Sequence, residues 1–388
     1  DFCLSRGLGD VYKRQVYEKI DRDIEEALPL VSDVNYAVPK YHFNRSAAYA
    51  FATRFNLYYL KWEKVVEYAS EVLGSAPSTV MRDWAAVKQL AWDGSVRTLD
   101  YISVGHSFNL LMIPMVTGNG SLFNAWSNSG ARFTHNYRVA KRETYRAKRP
   151  MGGPWDRWKD NCIEKVYQHP PFIWQDNDVN KIYMPKWPNQ WEVTDPVTGV
   201  GIGRSTMVAF TTNETVLSRA EAYVHLKEYD KAVADLNAWI GSFYLVGQNG
   251  IESLTRERIA EVYGDPSSNR YIAEYTALEP TSRKPLHPHG FTVEAGEQEH
   301  LIQTTLFCRR IETIADGLRW GDIKRYGIVI DRFDDSAYND DNTTGFTVAA
   351  TLGEKDLRRA LQLPQEVITA GLEANPRNEN RPDHPFCQ

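Results

Sequence analysis

The sequence predicts a mainly α-helical protein, in which helical hairpins stack as an α/α superhelix, with a large irregular, loop-rich insert and a few short strands. Two segments, 44–74 and 212–240, each contain two consecutive runs of apolar residues at helical spacing, separated by a short turn. The residues between them, 75–210, are rich in Gly, Pro, Trp and Tyr and show little helical periodicity. Because one hairpin cannot bury its own apolar face, we expect the two hairpins to pack together and the intervening residues to form an insert.

The amino-acid composition excludes several classes of protein. The 388 residues are 42% hydrophobic and 24% charged, which is enough apolar material for a large core. A net charge of −5 argues against a general binder of nucleic acids or anionic membranes. No run of about 18 apolar residues predicts a membrane-spanning helix. The four cysteines form no CxxC pair, so neither a zinc cluster nor a disulfide scaffold is expected.

The opening stretch, residues 1–15, is expected to be non-native. It lacks the charged, apolar and small-residue regions of a secretory signal and resembles translated adapter read-through from assembled environmental DNA. We therefore expect one domain over residues 16–388. Its parts are a helical scaffold (16–74 and 211–330), a ligand-face insert (75–210) and an irregular C-terminal segment (331–388).

The first predicted helices lie between residues 16 and 74. The first has one apolar face and ends near Pro29. Asn44 is expected to cap the next helix, and Trp62 to open its partner, which Gly74 closes. The first apolar face consists of Val16, Ile20, Ile24, Ala27, Leu28 and Val31.

The second hairpin repeats the register of the first. Trp62-Glu63-Lys64-Val65-Val66 precedes Tyr229-Asp230-Lys231-Ala232-Val233 by 167 residues, with the same residue types in the same order. This is a tetratricopeptide-like signature. A third helical stretch is predicted from Glu297 to Tyr326.

The insert carries the residues expected to bind ligand. Aromatic residues make 12% of the chain, including 11 Trp. A sugar ring offers a C–H face and a rim of hydroxyls, so a sugar site needs flat aromatic rings beside planar polar groups. The alternative is that these rings pin loops onto the helices. The candidates are Asn124, Trp126, Trp155, Arg157, Trp158 and Trp174, with Trp187 and Trp191 following them. Trp62, Trp239 and Trp320 have helical spacing and are expected in the core.

Other clusters favour ordinary structural roles. Residues 131–160 have a local excess of six basic side chains, which we interpret as a solvated face; no nucleic-acid motif accompanies it. Five aspartates between Asp331 and Asp341 do not fit an EF-hand, so calcium is an open but disfavoured cofactor, and no other metal is expected. His287 and His289 are interpreted as loop residues. Gly199, Gly201 and Gly203 predict a hairpin instead of a phosphate loop.

Three segments in order resemble one family, the SusD/RagB-like nutrient-binding lipoproteins of the Bacteroidetes outer membrane. The first is Tyr41-His42-Phe43-Asn44-Arg45-Ser46-Ala47-Ala48. The second and most specific runs from Arg309 to Tyr326 and contains Arg309, Glu312, Gly317, Arg319-Trp320 and Asp322. The third is Leu363-Pro364-Gln365-Glu366 followed by Asn375-Pro376, with part of the family pattern altered. Together they span about residues 17–376.

The resemblance implies a non-enzymatic protein that captures oligosaccharides at the cell surface and delivers them to a SusC-like TonB-dependent transporter, as part of polysaccharide utilisation. It also implies a lipid anchor on the outer membrane. The lipoprotein signal and acylated cysteine of the family are not visible in this chain, and Cys3 does not match that cysteine. Arg319 and Trp320 are expected to belong to the scaffold.

Two other functions fit parts of the pattern. A tetratricopeptide-type scaffold for protein partners needs only the hairpins. A glycoside hydrolase needs two carboxylates about 5–10 Å apart, and the 50 acidic residues always allow such a pair. No GxSxG elbow or cysteine–histidine signature is present.

Overall fold

The structure of the chain is a computed structural model. It describes residues 2–91, 93–123, 135–136, 143–145, 147, 149–152, 166–168, 172–176, 179–183, 186–264, 282–334, 347–375 and 377. Side chains are described from residue 14 onward, except those of residues 136, 172–176, 179–183, 332–334 and 347–349.

Helices dominate the described part of the chain, which confirms the predicted fold class. In chain order the helices are α1 (Phe2–Ala27), α2 (Arg45–Tyr59), α3 (Trp62–Leu73), α4 (Trp84–Lys88), α5 (Gly94–Tyr101), α6 (Asn119–Phe123), α7 (Thr212–His225), α8 (Tyr229–Phe243), α9 (Arg256–Tyr263), α10 (Glu297–Glu312), α11 (Arg319–Arg325) and α12 (Gln365–Thr369).

The first hairpin forms as the sequence predicts. The Asn44 side chain accepts a hydrogen bond from the Ala47 N–H (2.9 Å) at the start of α2. α2 ends at Tyr59 and is followed by Leu60, whose φ is +65°, and α3 begins at Trp62. α1 begins at Phe2, upstream of the start at Val16 that the periodicity indicated, and it packs on α2.

The second hairpin, α7 and α8, packs on the first and on α10. α3 and α2 lie against one side of α7, and α10 lies against another. Trp239 of α8 is completely buried, as predicted, while Trp62 and Trp320 are half-buried at the edges of apolar clusters. The hairpins therefore stack into one scaffold, because each covers the apolar face of its neighbour.

The predicted helix over 297–326 is divided into two. α10 ends at Glu312, and α11 begins at Arg319. Between them Ala315 and Gly317 have φ values of +67° and +78°, a left-handed backbone that an α-helix does not contain. Helical spacing on both sides of this turn concealed the break.

A buried network of charges ties α7, α10 and α11 together. The Arg309 guanidinium donates to Asp322 at 3.1 and 3.2 Å. Glu221 accepts from Arg325 at 2.6 Å and from the Tyr326 hydroxyl at 2.7 Å. The Arg309, Asp322 and Glu221 side chains are 0% exposed. Residues from the Arg309–Tyr326 segment thus hold three helices in register.

The strands form three small antiparallel sheets. They are β1 (Asn109–Val116), β2 (His135–Asn136), β3 (Phe172–Asp176), β4 (Val179–Tyr183), β5 (Gln190–Asp195), β6 (Val200–Thr211), β7 (Ile330–Asp334) and β8 (Thr347–Leu352). The sheet orders are β1-β6-β5, β2-β4-β3 and β7-β8. The hairpin predicted around Gly199, Gly201 and Gly203 is the β5–β6 connection. Among the described residues, no helix is both long enough and apolar enough to cross a membrane.

Removing the Asn44 cap is expected to lower the free energy of unfolding. Asn44→Ala loses the bond to Ala47 and the bond from Nδ2 to the Leu110 carbonyl (2.7 Å), so we expect a loss of about 1–2 kcal/mol in chemical denaturation. Asn44→Asp keeps the capping acceptor but cannot donate to Leu110, and it separates the two contributions. Equal stability of all three proteins would contradict the capping role.

Candidate functional site

Most of the predicted ligand residues lie outside the described part of the chain. These are Asn124, Trp126, Trp155, Arg157 and Trp158. Trp174 lies in β3, where its backbone pairs with Lys181, and its side chain is not described. All six therefore stay predictions.

Two further clusters are only partly described. Most of the basic segment 131–160 lies outside the described residues. Of the five aspartates, Asp331 is described with its side chain, and its Oδ1 accepts from the Thr351 hydroxyl at 2.6 Å. His287 and His289 lie in a loop, as predicted.

Trp187 packs a loop onto the scaffold. Its side chain is buried, and its Nε1 donates to the Ala315 carbonyl at 3.1 Å. The ring also contacts Phe123 of α6, with ring centroids 6.0 Å apart. The neighbouring Lys186 donates to Asp316 at 2.7 Å. For this tryptophan the loop-pinning interpretation is correct.

Trp191 lies on the surface instead. It sits in β5, directly opposite Gly203 of β6, and is 62% exposed. A Cβ atom on Gly201 would lie 2.7 Å from Trp191 Nε1, so the indole lies against the bare backbone of β6. Any side chain at Gly201 would meet both the Glu192 carbonyl oxygen and the Trp191 Nε1, so the glycine leaves room for the indole beside the sheet while most of the side chain stays exposed.

The same face of the hairpin continues as an apolar strip. Val193 is the cross-strand partner of Gly201 and is 50% exposed. Alternation along a strand places Val193, Gly201 and Gly203 on the Trp191 side of the sheet. We call these four residues the Trp191 platform. The ion pair between Glu192 and Arg204 lies on the opposite side by the same alternation.

Comparison with known proteins supports the sequence resemblance. A SusD-like family described as starch-binding and associating with the outer membrane matches residues 12–57, which cover the second half of α1 and most of α2. A SusD-like protein from Bacteroides fragilis NCTC 9343 superposes with a TM-score of 0.51 at 14% identity, covering 93% of this chain and 71% of that one. The fold of this chain is SusD-like.

A second solved structure with a TM-score above 0.5 agrees with the SusD-like fold. A candidate sugar binding protein from Bacteroides vulgatus ATCC 8482 gives a TM-score of 0.51 at 18% identity, covering 93% of this chain and 65% of that one. A SusD-like carbohydrate binding protein from the same organism gives 0.47 at 16% identity, covering 87% and 57%. The chain thus spans less than two thirds of the length of these two proteins. The search of curated protein sequences found no match.

The SusD-like scaffold accounts for the motif that carried the resemblance. Arg309, Asp322, Arg325 and Tyr326 belong to the buried network, so these four residues of the segment hold helices together.

Sequence reasoning named Trp191 but did not select it as a site residue. The available signal was the spacing of Gly201 and Gly203. Glycines two residues apart in a strand leave one face bare, and an antiparallel partner places its own side chain over that face. Only the register of β5 against β6 identifies that side chain as Trp191.

Proposed function

We propose that this SusD-like chain is a glycan-binding protein of the outer membrane surface that captures oligosaccharides and delivers them to a SusC-like TonB-dependent transporter. The matched family, described as starch-binding and associating with the outer membrane, supports the class of ligand and the location. The observation that carries the binding proposal is the exposed indole of Trp191, whose Nε1 lies beside the bare backbone of Gly201.

The platform suits the C–H face of a sugar ring. An indole presents a rigid apolar plane, so stacking a pyranose on it removes apolar surface from water and orders few rotatable bonds. The four platform residues carry no charged side chain. Binding there is therefore expected to favour neutral sugars and to change little with salt concentration.

The insert 75–210 is the proposed ligand face within a single domain over residues 16–388. Trp126, Trp155, Trp158 and Trp174, with Asn124 and Arg157 as polar neighbours, are proposed to add contacts to the same ligand. Trp126→Ala or Trp158→Ala is expected to weaken binding without unfolding the protein.

Replacing Trp191 by alanine is expected to weaken glycan binding by about 1–3 kcal/mol, because a stacking surface is lost. The measurement is isothermal titration with maltohexaose and a panel of plant, host and microbial oligosaccharides. Trp191→Phe keeps a smaller ring, so its affinity for the glycan should lie between those of the parent protein and Trp191→Ala. Val197→Ala, at the 92% exposed hairpin turn, is the matched control and should bind like the parent protein. Full affinity of Trp191→Ala for every glycan that the parent protein binds would exclude the platform.

Three further parts of the proposal have their own tests. Reducing-end assays on the same samples should show no cleavage, since the proposed role is capture. Binding should persist in EDTA, since no cofactor is proposed. Delivery and the lipid anchor rest on the family resemblance, and they predict co-purification with a SusC-like transporter from solubilised outer membranes.

A further inference from the structure

The side chains of β5 do little to fix its register on β6. Residues 190–194 are all exposed, so no buried face of the strand selects one register. Trp191 and Val193 each pair with a glycine of β6, which contributes no side chain of its own. The register of glycine-rich, solvated strands is weakly specified, and a shift by one residue moves every side chain to the other face. The place of Trp191 therefore depends on what holds the ends of the strand.

The chain that enters β5 is anchored to the turn between α10 and α11. Lys186 is buried, and its Nζ donates to Asp316 Oδ2 at 2.7 Å and to the Glu312 carbonyl. The next residue, Trp187, donates from Nε1 to the Ala315 carbonyl at 3.1 Å. β5 begins three residues after Trp187. Two consecutive buried side chains thus fix the entry to the strand on the helical scaffold.

The left-handed turn presents both acceptors to the same loop. Ala315 and Gly317 have φ values of +67° and +78°, which end the path of α10. A left-handed residue other than glycine costs free energy and persists where surrounding contacts hold it. The loop also meets the sheet, because the Ser205 hydroxyl of β6 donates to the Pro188 carbonyl at 2.7 Å. Through this loop, the turn is connected to both strands of the hairpin.

We infer that Asp316 is a positioning residue for ligand binding: through Lys186 it holds the entry to β5, and so it fixes the register in which Trp191 lies beside β6. The inference rests on the proposed glycan-binding function. It gives the segment from Arg309 to Tyr326 a role in binding besides its buried network, because the same segment sets the place of the platform.

Single variants test this role by comparing affinity with stability. Asp316→Asn should raise the Kd of the bound oligosaccharide about fivefold or more, because the platform is no longer held in one place. Asp316→Glu keeps the carboxylate, and its longer side chain has room because Asp316 lines a pocket beside Arg54. Its Kd should stay within about twofold of the parent value. Equal affinity of Asp316→Asn and the parent protein would overturn the inference.

A buried ion pair elsewhere in the scaffold provides the matched control. Asp235 accepts from Arg219 at 2.7 and 2.8 Å, between α7 and α8. Asp235→Asn should lower the urea concentration at the unfolding midpoint at least as much as Asp316→Asn does, yet leave the Kd within about twofold of the parent value. A similar loss of affinity in both variants would show that general destabilisation explains the result, and it would overturn the inference.

A double variant separates positioning from the cost of an unpaired charge. Lys186→Met combined with Asp316→Asn removes both charges, so no ammonium is buried without its ion-pair partner. Its unfolding midpoint should recover towards that of the parent protein, while its Kd should stay as high as in Asp316→Asn. Recovery of affinity together with stability would contradict a positioning role.

Hydrogen exchange without glycan measures the anchor directly. Asp316→Asn should speed amide exchange in residues 190–195 about tenfold or more and leave α7 unchanged. Unchanged exchange in β5 would overturn the inference. No binding of any panel glycan by the parent protein would overturn the proposed function, and the inference with it. Binding that Trp191→Ala weakens and Asp316→Asn does not would overturn the inference alone.

Discussion

Replacing Trp239 by alanine is expected to lower the free energy of unfolding by about 3–5 kcal/mol. The Trp239 side chain is completely buried in the largest apolar cluster and stacks on Phe243, with ring centroids 4.8 Å apart. Its Nε1 also donates to Glu312 Oε2 at 2.8 Å. Alanine would leave a large cavity and remove this donor from a buried carboxylate, and both effects destabilise the folded state.

Urea denaturation of two further variants tests this explanation: one separates the cavity from the lost donor, and the other is an exposed-site control. Trp239→Phe keeps much of the ring volume and removes the donor, so it should cost less than the alanine variant. Trp191→Ala removes the same side chain from an exposed site and should change stability by less than about 0.5 kcal/mol. A loss in Trp191→Ala as large as that in Trp239→Ala would show that the Trp191 ring supports the fold, and it would weaken the binding proposal.

The sequence predicted the elements whose signals are local and periodic. Asn44 caps α2 and Trp62 opens α3, because a cap and an apolar stripe are decided within one or two turns of helix. α4 and α5 lie in the predicted insert and were missed. Each is eight residues or fewer, capped by Asp83 and Asp93, and too short for a helical period to show. The break at Ala315 was missed because a left-handed alanine has no sequence signature.

The candidate site was less predictable than the scaffold. Composition identified the insert as aromatic-rich but did not distinguish Trp187 from Trp191, four residues apart in the chain. The difference lies in long-range contacts. Trp187 reaches the Ala315 carbonyl across the fold, whereas Trp191 is placed by strand register over Gly201. A one-residue shift in that register would move Trp191 to the other face of the sheet.

Replacing Glu221 by glutamine is expected to lower the free energy of unfolding by about 3–5 kcal/mol near neutral pH. Glu221 is fully buried and accepts from Arg325 at 2.6 Å and from the Tyr326 hydroxyl at 2.7 Å. The isosteric amide keeps the volume but leaves the two buried guanidinium groups of Arg309 and Arg325 to share the carboxylate of Asp322, so one positive charge of the network is no longer compensated. Such uncompensated charge is costly, because water no longer solvates it. Glu294→Gln, which breaks an exposed pair with Lys227, is the matched control and should cost at most about 1 kcal/mol.

The pH dependence of the stability gap between the parent protein and Glu221→Gln identifies the physical cause of that gap. Burial alone would raise the pKa of Glu221, but Arg325 and Arg309 outweigh burial and hold this pKa below its ordinary value of 4.5. Because the folded pKa lies below the unfolded one, the stabilisation by Glu221 is complete above about pH 4.5 and is lost as pH falls through the folded pKa. The gap in stability between the parent protein and Glu221→Gln should therefore be largest near neutral pH and shrink in acid. A gap that stays constant in acid would show that the amide destabilises by misfit in the core, without a contribution from the carboxylate charge.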